Sequence, residues 1–178
     1  MLLNMRPMVA AGALTSLVLV AALAAASHAP GQNLTPGKQE NAMQHATGPF
    51  EVKVAPQKPD NPQAEAAALS RMSLDKQFHG DLEATSQGEM LSVLDKAKGS
   101  GGYVAIERVT GKLQGRTGSF VLQHNATMNR GAPELNIIVV PDSGTRELEG
   151  ISGSMKIRIE AGGKHFYDFD YALASPSH

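Results

Sequence analysis

The segment from Met155 to Leu173 constrains the fold more tightly than any other stretch of the chain. Met155, Ile157 and Ile159 alternate with Lys156, Arg158 and Glu160, and Tyr167, Phe169, Tyr171 and Leu173 alternate with Asp168 and Asp170. A period of two puts alternate side chains on opposite faces of an extended strand. Ala161-Gly162-Gly163 supplies a turn between the two runs. If Glu160 opposes Lys164 across that loop, Ile157 faces Tyr167, Met155 faces Phe169 and Lys156 faces Asp168. One face is then apolar and the other charged. A slip of one residue would expose the apolar set, so this register is the one the sequence specifies.

The same period recurs upstream. Phe50 to Val54 (FEVKV) is a half-buried strand. Met72, Leu74 and Phe78, then Leu82, Ala84 and Met90, mark two more, with Gly80 between them. Tyr103 to Leu113 and Ser119 to Met128 flank Leu113-Gln114-Gly115-Arg116, a hairpin turn. Leu135 to Val140 (LNIIVV) is β-branched and closed by Pro141, which argues for a strand. No helical stripe is sustained, apart from one turn expected at Glu65 to Ala68. The proline-rich stretch Pro56 to Ala68 reads as a long loop. Seven or eight strands in an unbroken meander predict an all-β fold: a single antiparallel closed β-barrel, since closure removes exposed edges.

The N-terminus has a different character. Arg6 is followed by an almost wholly apolar run, Val9 to Ala26, and then by small residues up to Pro30. A cation, an apolar middle and an A-x-A end describe a signal peptide over residues 1–29, cut after Ala26 or Ala29. A retained membrane anchor is the alternative, the run being close to spanning length. Residues 30–47 are polar and broken by Pro-Gly pairs, and read as a flexible linker. The expected organisation is signal peptide 1–29, linker 30–47, barrel 48–174 and tail 175–178. The expected compartment is periplasmic or extracellular, with no membrane association after cleavage.

Composition excludes several function classes. The chain has 178 residues and no cysteine, which removes disulfides, thiolate metal sites, a cysteine nucleophile and a lipoprotein anchor. The formal net charge is -1 and no basic run exists, so nucleic acid is not an expected partner. Neither H-x-H nor H-E-x-x-H spacing occurs, so neither a metal nor another cofactor is expected. The Gly-Ser-Gly-Gly stretch at Gly99 is not followed by a helix, and Ser119 lacks the G-x-S-x-G elbow.

The most suggestive polar residues lie in the central hairpin. A two-residue Gln114-Gly115 turn puts Glu107 opposite Leu122 and Ala105 opposite His124. Glu107 and His124 are then diagonal neighbours on one face, together with Tyr103, Val109, Phe120 and Ala126. Burial would raise the carboxyl pKa and lower that of the imidazole, while their mutual attraction would oppose both shifts. Glu107, His124, Tyr103 and Phe120 are the candidate ligand-binding residues, with no catalytic residue assigned. A buried polar pair that merely fixes register is the structural alternative.

Four stretches carry a family resemblance: GPFEVK from Gly48, FHGDLEATSQGEML from Phe78, ERVTGKLQGRTGSFVLQH from Glu107 and PDSGTRELEGISG from Pro141. Together they make Gly48 to Leu173 resemble the bacterial family called domain of unknown function 3224. The resemblance implies a calycin-like barrel similar to that of allene oxide cyclase, but not that enzyme's activity, since a fold does not transfer function. The expected function is binding of a small apolar or amphipathic ligand in the barrel. The alternatives are an exported structural protein with a packed barrel that forms a homo-oligomer, and an isomerase- or cyclase-like enzyme using Glu107 and His124.

Overall fold

The computed structural model describes residues 42–59 and 61–174, without the side chains of residues 62 and 65. The expected signal peptide, the linker as far as residue 41 and the tail 175–178 lie outside the described residues.

Eight strands follow one another in chain order: β1 (Gln44–Gln57), β2 (Ser70–Phe78), β3 (Leu82–Asp95), β4 (Ser100–Leu113), β5 (Arg116–Asn129), β6 (Ala132–Val139), β7 (Ser152–Ile159) and β8 (His165–Ala172). Each pairs antiparallel with its neighbours, and β1 pairs with both β2 and β8, so the sheet closes into a barrel. The expected all-β closed barrel is what the chain forms. One short helix, α1 (Pro62–Ala66), lies in the proline-rich connection, a little earlier than the turn expected at Glu65 to Ala68.

The C-terminal hairpin has the predicted register: Met155↔Phe169, Lys156↔Asp168 and Ile157↔Tyr167. The outer ion pair differs in one detail. Asp168 bonds Arg158 at 2.7 Å, the diagonal neighbour of its direct partner Lys156. The guanidinium stem reaches across the strand pair and takes Glu160 as well, at 3.1 Å.

The central hairpin also has its expected turn. Gln114 and Gly115 both have positive φ, 46° and 86°, the backbone that a two-residue primed turn requires. The register is therefore Glu107↔Leu122 and Ala105↔His124.

The first strand starts earlier than expected. Gln44 to Thr47, expected in the linker, form the start of β1, paired with β8 from Gln44↔Tyr171 onward. His45 bonds its register partner Asp170 through Nδ1 at 2.7 Å. Pro56 also lies within β1. That is tolerated because β8 accompanies β1 only as far as Phe50, so beyond it one side of β1 has no neighbour to donate to.

The barrel has two unlike ends. At the end holding the β4–β5 turn, the inward rows are shut: Leu82, Leu113, Tyr167, Phe169 and Tyr171 are at most 1% exposed. Phe120 stacks on Phe169 there, with centroids 5.5 Å apart. Tyr167 donates its hydroxyl to the His79 carbonyl at 3.0 Å and accepts from the Leu82 N–H at 2.8 Å, tying β8 to the β2–β3 turn. The connection between β6 and β7 carries a 3-10 turn, Arg146–Leu148, whose Leu148 is buried. Thr145 and Glu147 on this connection bond the backbone of β5.

At the opposite end, β3 to β6 run on past the packed region. Their inward-row residues there are uncovered: Leu94 is 56% exposed, Met128 40% and Leu135 40%. One seam is thin. Among the described residues, β6 and β7 register at a single pair, Ile138↔Ser154, whereas β3 and β4 pair continuously from Leu82↔Leu113 to Asp95↔Ser100.

Candidate functional site

The alternation that buries one row of each strand carries four polar side chains inward on four successive strands: Lys76 on β2, Ser86 on β3, Glu107 on β4 and His124 on β5. All four are buried. Glu107 is the hub. Its Oε1 accepts from the Lys76 ammonium at 2.6 Å and from His124 Nε2 at 2.8 Å, and its Oε2 accepts from the Ser86 hydroxyl at 2.6 Å. An ionised carboxylate can only accept, so the imidazole proton facing it is on Nε2. The Lys76 ammonium also sits 5.4 Å from the Phe50 ring centroid and 5.8 Å from that of Phe78, where the ring faces attract the cation.

Burial alone would push the Glu107 carboxyl up. The hydrogen bond from His124 and the charges of Lys76 and His124 outweigh it and hold the group at about 2. Both expected effects, the upward push of burial and the opposing pull of the imidazole, are present, and Lys76, which the hairpin alone does not reveal, adds to the pull so that the net shift is downward.

The approach of β3 to this carboxylate demands a glycine. Gly88 is the register partner of Glu107, and a Cβ at Gly88 would come within 2.5 Å of the Glu107 Cβ. No Cβ fits there, so β3 passes close behind Glu107 and leaves room for Ser86 to reach it.

Of the four residues singled out from the sequence, the structure brings Glu107 and His124 into contact and puts Tyr103 on the same row toward the open end. Tyr103 is half-buried. Burial first, and then the Glu107 charge, push its phenol pKa up, so it stays a neutral hydroxyl. Phe120 is on the same face but two inward positions beyond His124, inside the packed end. The polar layer separates it from Tyr103, so it belongs to the core. Lys76 and Ser86 were not anticipated, although both occupy inward parity positions, between Leu74 and Phe78 and between Ala84 and Gly88.

A cleft of about 290 Å³ lies at the open end, with Ser92, Leu94, Tyr103, Ala126, Met128 and Leu135 among its lining. A larger groove, about 700 Å³, runs along the outside of the barrel under the α1 connection, past Leu69, Leu91, Val104 and Ile106. The Arg71–Glu89 ion pair, Gln123 and parts of Ala105 and His124 complete its lining. Among the described residues, no group of three or more His, Cys, Asp or Glu is placed to hold a metal ion.

A family model described as protein of unknown function (DUF3224) matches residues 46–171. The chain belongs to that family. A crystal structure of a DUF3224 protein with unknown function, from Shewanella oneidensis MR-1, is 50% identical and has a TM-score of 0.69. The alignment covers 76% of this chain and 100% of that one. No curated protein matches the chain. Membership in DUF3224 therefore supports the barrel and supplies no reaction. The chemistry has to be read from the layer around Glu107 and the cleft beside it.

Proposed function

We propose that the barrel is a binding module, which takes a small apolar or amphipathic molecule into the cleft at its open end. One observation carries this reading: the inward rows are sealed at one end and left uncovered at the other. Leu94, Met128 and Leu135 face inward, where a filled barrel would bury them, yet they stay in contact with solvent. Apolar surface arranged on a concave wall favours an apolar guest, because each Å² removed from water contributes about 25 cal/mol.

The same geometry counts against proton transfer by Glu107. A general base works best with a pKa near the working pH. Glu107 is held at about 2 and both of its oxygens accept hydrogen bonds, which makes it a weak acceptor for a substrate proton. The buried layer is better suited to be the rigid floor of the cleft. The apolar run Val9 to Ala26 supports export as the route by which this module reaches its ligand.

The test uses Nile red, a neutral apolar dye, with two charge-introducing variants on surfaces that tolerate them. Met128→Glu places a carboxylate in the cleft, and Ile106→Glu places one in the outer groove. The expected result is dye fluorescence that saturates with wild type and with Ile106→Glu, and is lost with Met128→Glu. No saturable binding by the wild type would overturn the reading, as would loss of binding in Ile106→Glu alone.

A further inference from the structure

The outer surface of the barrel is built in two halves. Alternation on β1, β2, β7 and β8 turns charged side chains outward, among them Lys53, Asp75, Lys156, Arg158, Asp168 and Asp170. The outward rows of β3 and β4 carry charge from the shut end as far as Glu89 and Arg108. Toward the open end they then turn apolar, with Leu91 and Val93 on β3 and Ile106 and Val104 on β4. All four are about half exposed. Leu91 is the register partner of Val104, so the four form one block, and Leu69 from the α1 connection borders it.

In β4 the ordinary order is inverted. Val104 and Ile106 point to solvent, while Glu107 points into the barrel. A strand that is apolar on its outward row and packed on its inner one has the pattern of a strand covered on both faces. In one copy of the chain the outer face is left half in water. A contiguous apolar patch with a polar rim marks a surface made for contact.

Backbone and charge restrict what can cover it. β3, β4 and β5 pair continuously, so no strand edge is free there, and a partner has to dock through side chains, face against face. The block itself is uncharged, which offers nothing to a nucleic acid or to a strongly acidic or basic protein. Its two flanks differ. One holds the Arg71–Glu89 ion pair, with both bonds at 2.7 Å, and Arg108. The other holds Gln123 and Asn125, the β5 register partners of Ile106 and Val104.

We propose that this wall is a two-fold interface between two copies of the chain. A two-fold contact requires a surface that complements itself. Here the apolar block meets its own copy with no like charge at the centre. The ionic flank of each copy lies over the amide flank of the other, where Gln123 and Asn125 can both donate and accept. The proposal goes beyond the binding reading and does not rest on it, since the cleft at the open end is a separate surface.

The experiment is sedimentation equilibrium of the full chain over a concentration series. The wild type is expected to be a dimer with a Kd of about 10 µM or tighter. Ile106→Glu and Leu91→Glu each enter a two-fold interface twice, and should weaken association by at least about tenfold. Val104→Thr keeps the shape and adds only a hydroxyl, so it tests the same wall without a buried charge, and several-fold weakening is expected. Met128→Glu, in the cleft, should associate as wild type does. A wild type that stays monomeric would overturn the proposal. So would an association that survives Ile106→Glu, Leu91→Glu and Val104→Thr alike, since all of these proteins keep the apolar run Val9 to Ala26 and the contact would then lie elsewhere. Nile red reports separately: dye binding by a monomeric Ile106→Glu keeps the binding reading, whatever becomes of the dimer.

Discussion

His124 Nε2 donates to Glu107 Oε1 at 2.8 Å, from a position diagonal to Glu107 across the β4–β5 hairpin. The same oxygen takes the Lys76 ammonium, so the buried anion is compensated from two sides. Removing the anion alone strands the cation. Glu107→Gln should therefore destabilise the protein by about 3–5 kcal/mol, the usual effect of breaking a buried ion pair on one side. Adding Lys76→Met to that variant should recover part of the loss. Urea denaturation of wild type, both single variants and the double variant gives the coupling, and strictly additive losses would contradict it.

Acid should reveal the same carboxylate. Its folded pKa is lowered from the ordinary 4.5 to about 2. A depressed acid contributes stability that is fully present above its unfolded value and is lost as pH falls through its folded one. The expected loss is about 3 kcal/mol between pH 4.5 and 2. Glu107→Gln should flatten that part of the stability–pH curve. A variant that declines as steeply as wild type over this range would show that other carboxylates dominate.

Gly88→Ala tests the close passage of β3 behind Glu107. A methyl at this position overlaps the Glu107 Cβ and the neighbouring β4 backbone. Strand displacement of this kind costs about 1–3 kcal/mol. Thermal melting should show a lowered Tm, and an unchanged Tm would mean that the strands separate freely there.

Tyr167→Phe tests the shut end. The variant leaves the Leu82 N–H and the His79 carbonyl without their hydroxyl partner, and a buried unsatisfied group costs about 1–3 kcal/mol. The phenol itself is pushed up to about 12, by burial first and then by the charges of Asp81 and Glu83. In an absorbance titration of the native protein Tyr103 and Tyr171 should therefore also ionise above the ordinary value, and Tyr167 near 12. If all three tyrosines titrate together at pH 10, Tyr167 is more open than its burial indicates.

Much of this was legible in the sequence, for a specific reason. Hairpin register follows from turn length and alternation, so Ile157↔Tyr167 and Glu107↔Leu122 both follow from the sequence alone. Long-range depth was not. Phe120 shares a face with His124, but which positions lie in the packed end depends on how all eight strands stagger around the barrel, and one hairpin does not fix that. Lys76 was hidden by its chemistry. A lysine within an alternating run reads as an outward residue, even though Leu74 and Phe78 on either side put it inward. Its burial makes sense only with Glu107, which is 31 residues away in sequence. The early start of β1 was hidden by size, since Ala46 and Gly48 are the inward residues there and their small side chains leave little hydrophobic signal.

The single pairing between β6 and β7 gives the ring a defined opening point. Cut there, the barrel unrolls into a continuous sheet in the order β7-β8-β1-β2-β3-β4-β5-β6, with every other ladder kept. That join, with the fewest ladder pairs in the wall, is then expected to be the first to part. The amides of β6 and β7 that face that join should exchange with deuterium well before those of β4, even though all three strands belong to one wall.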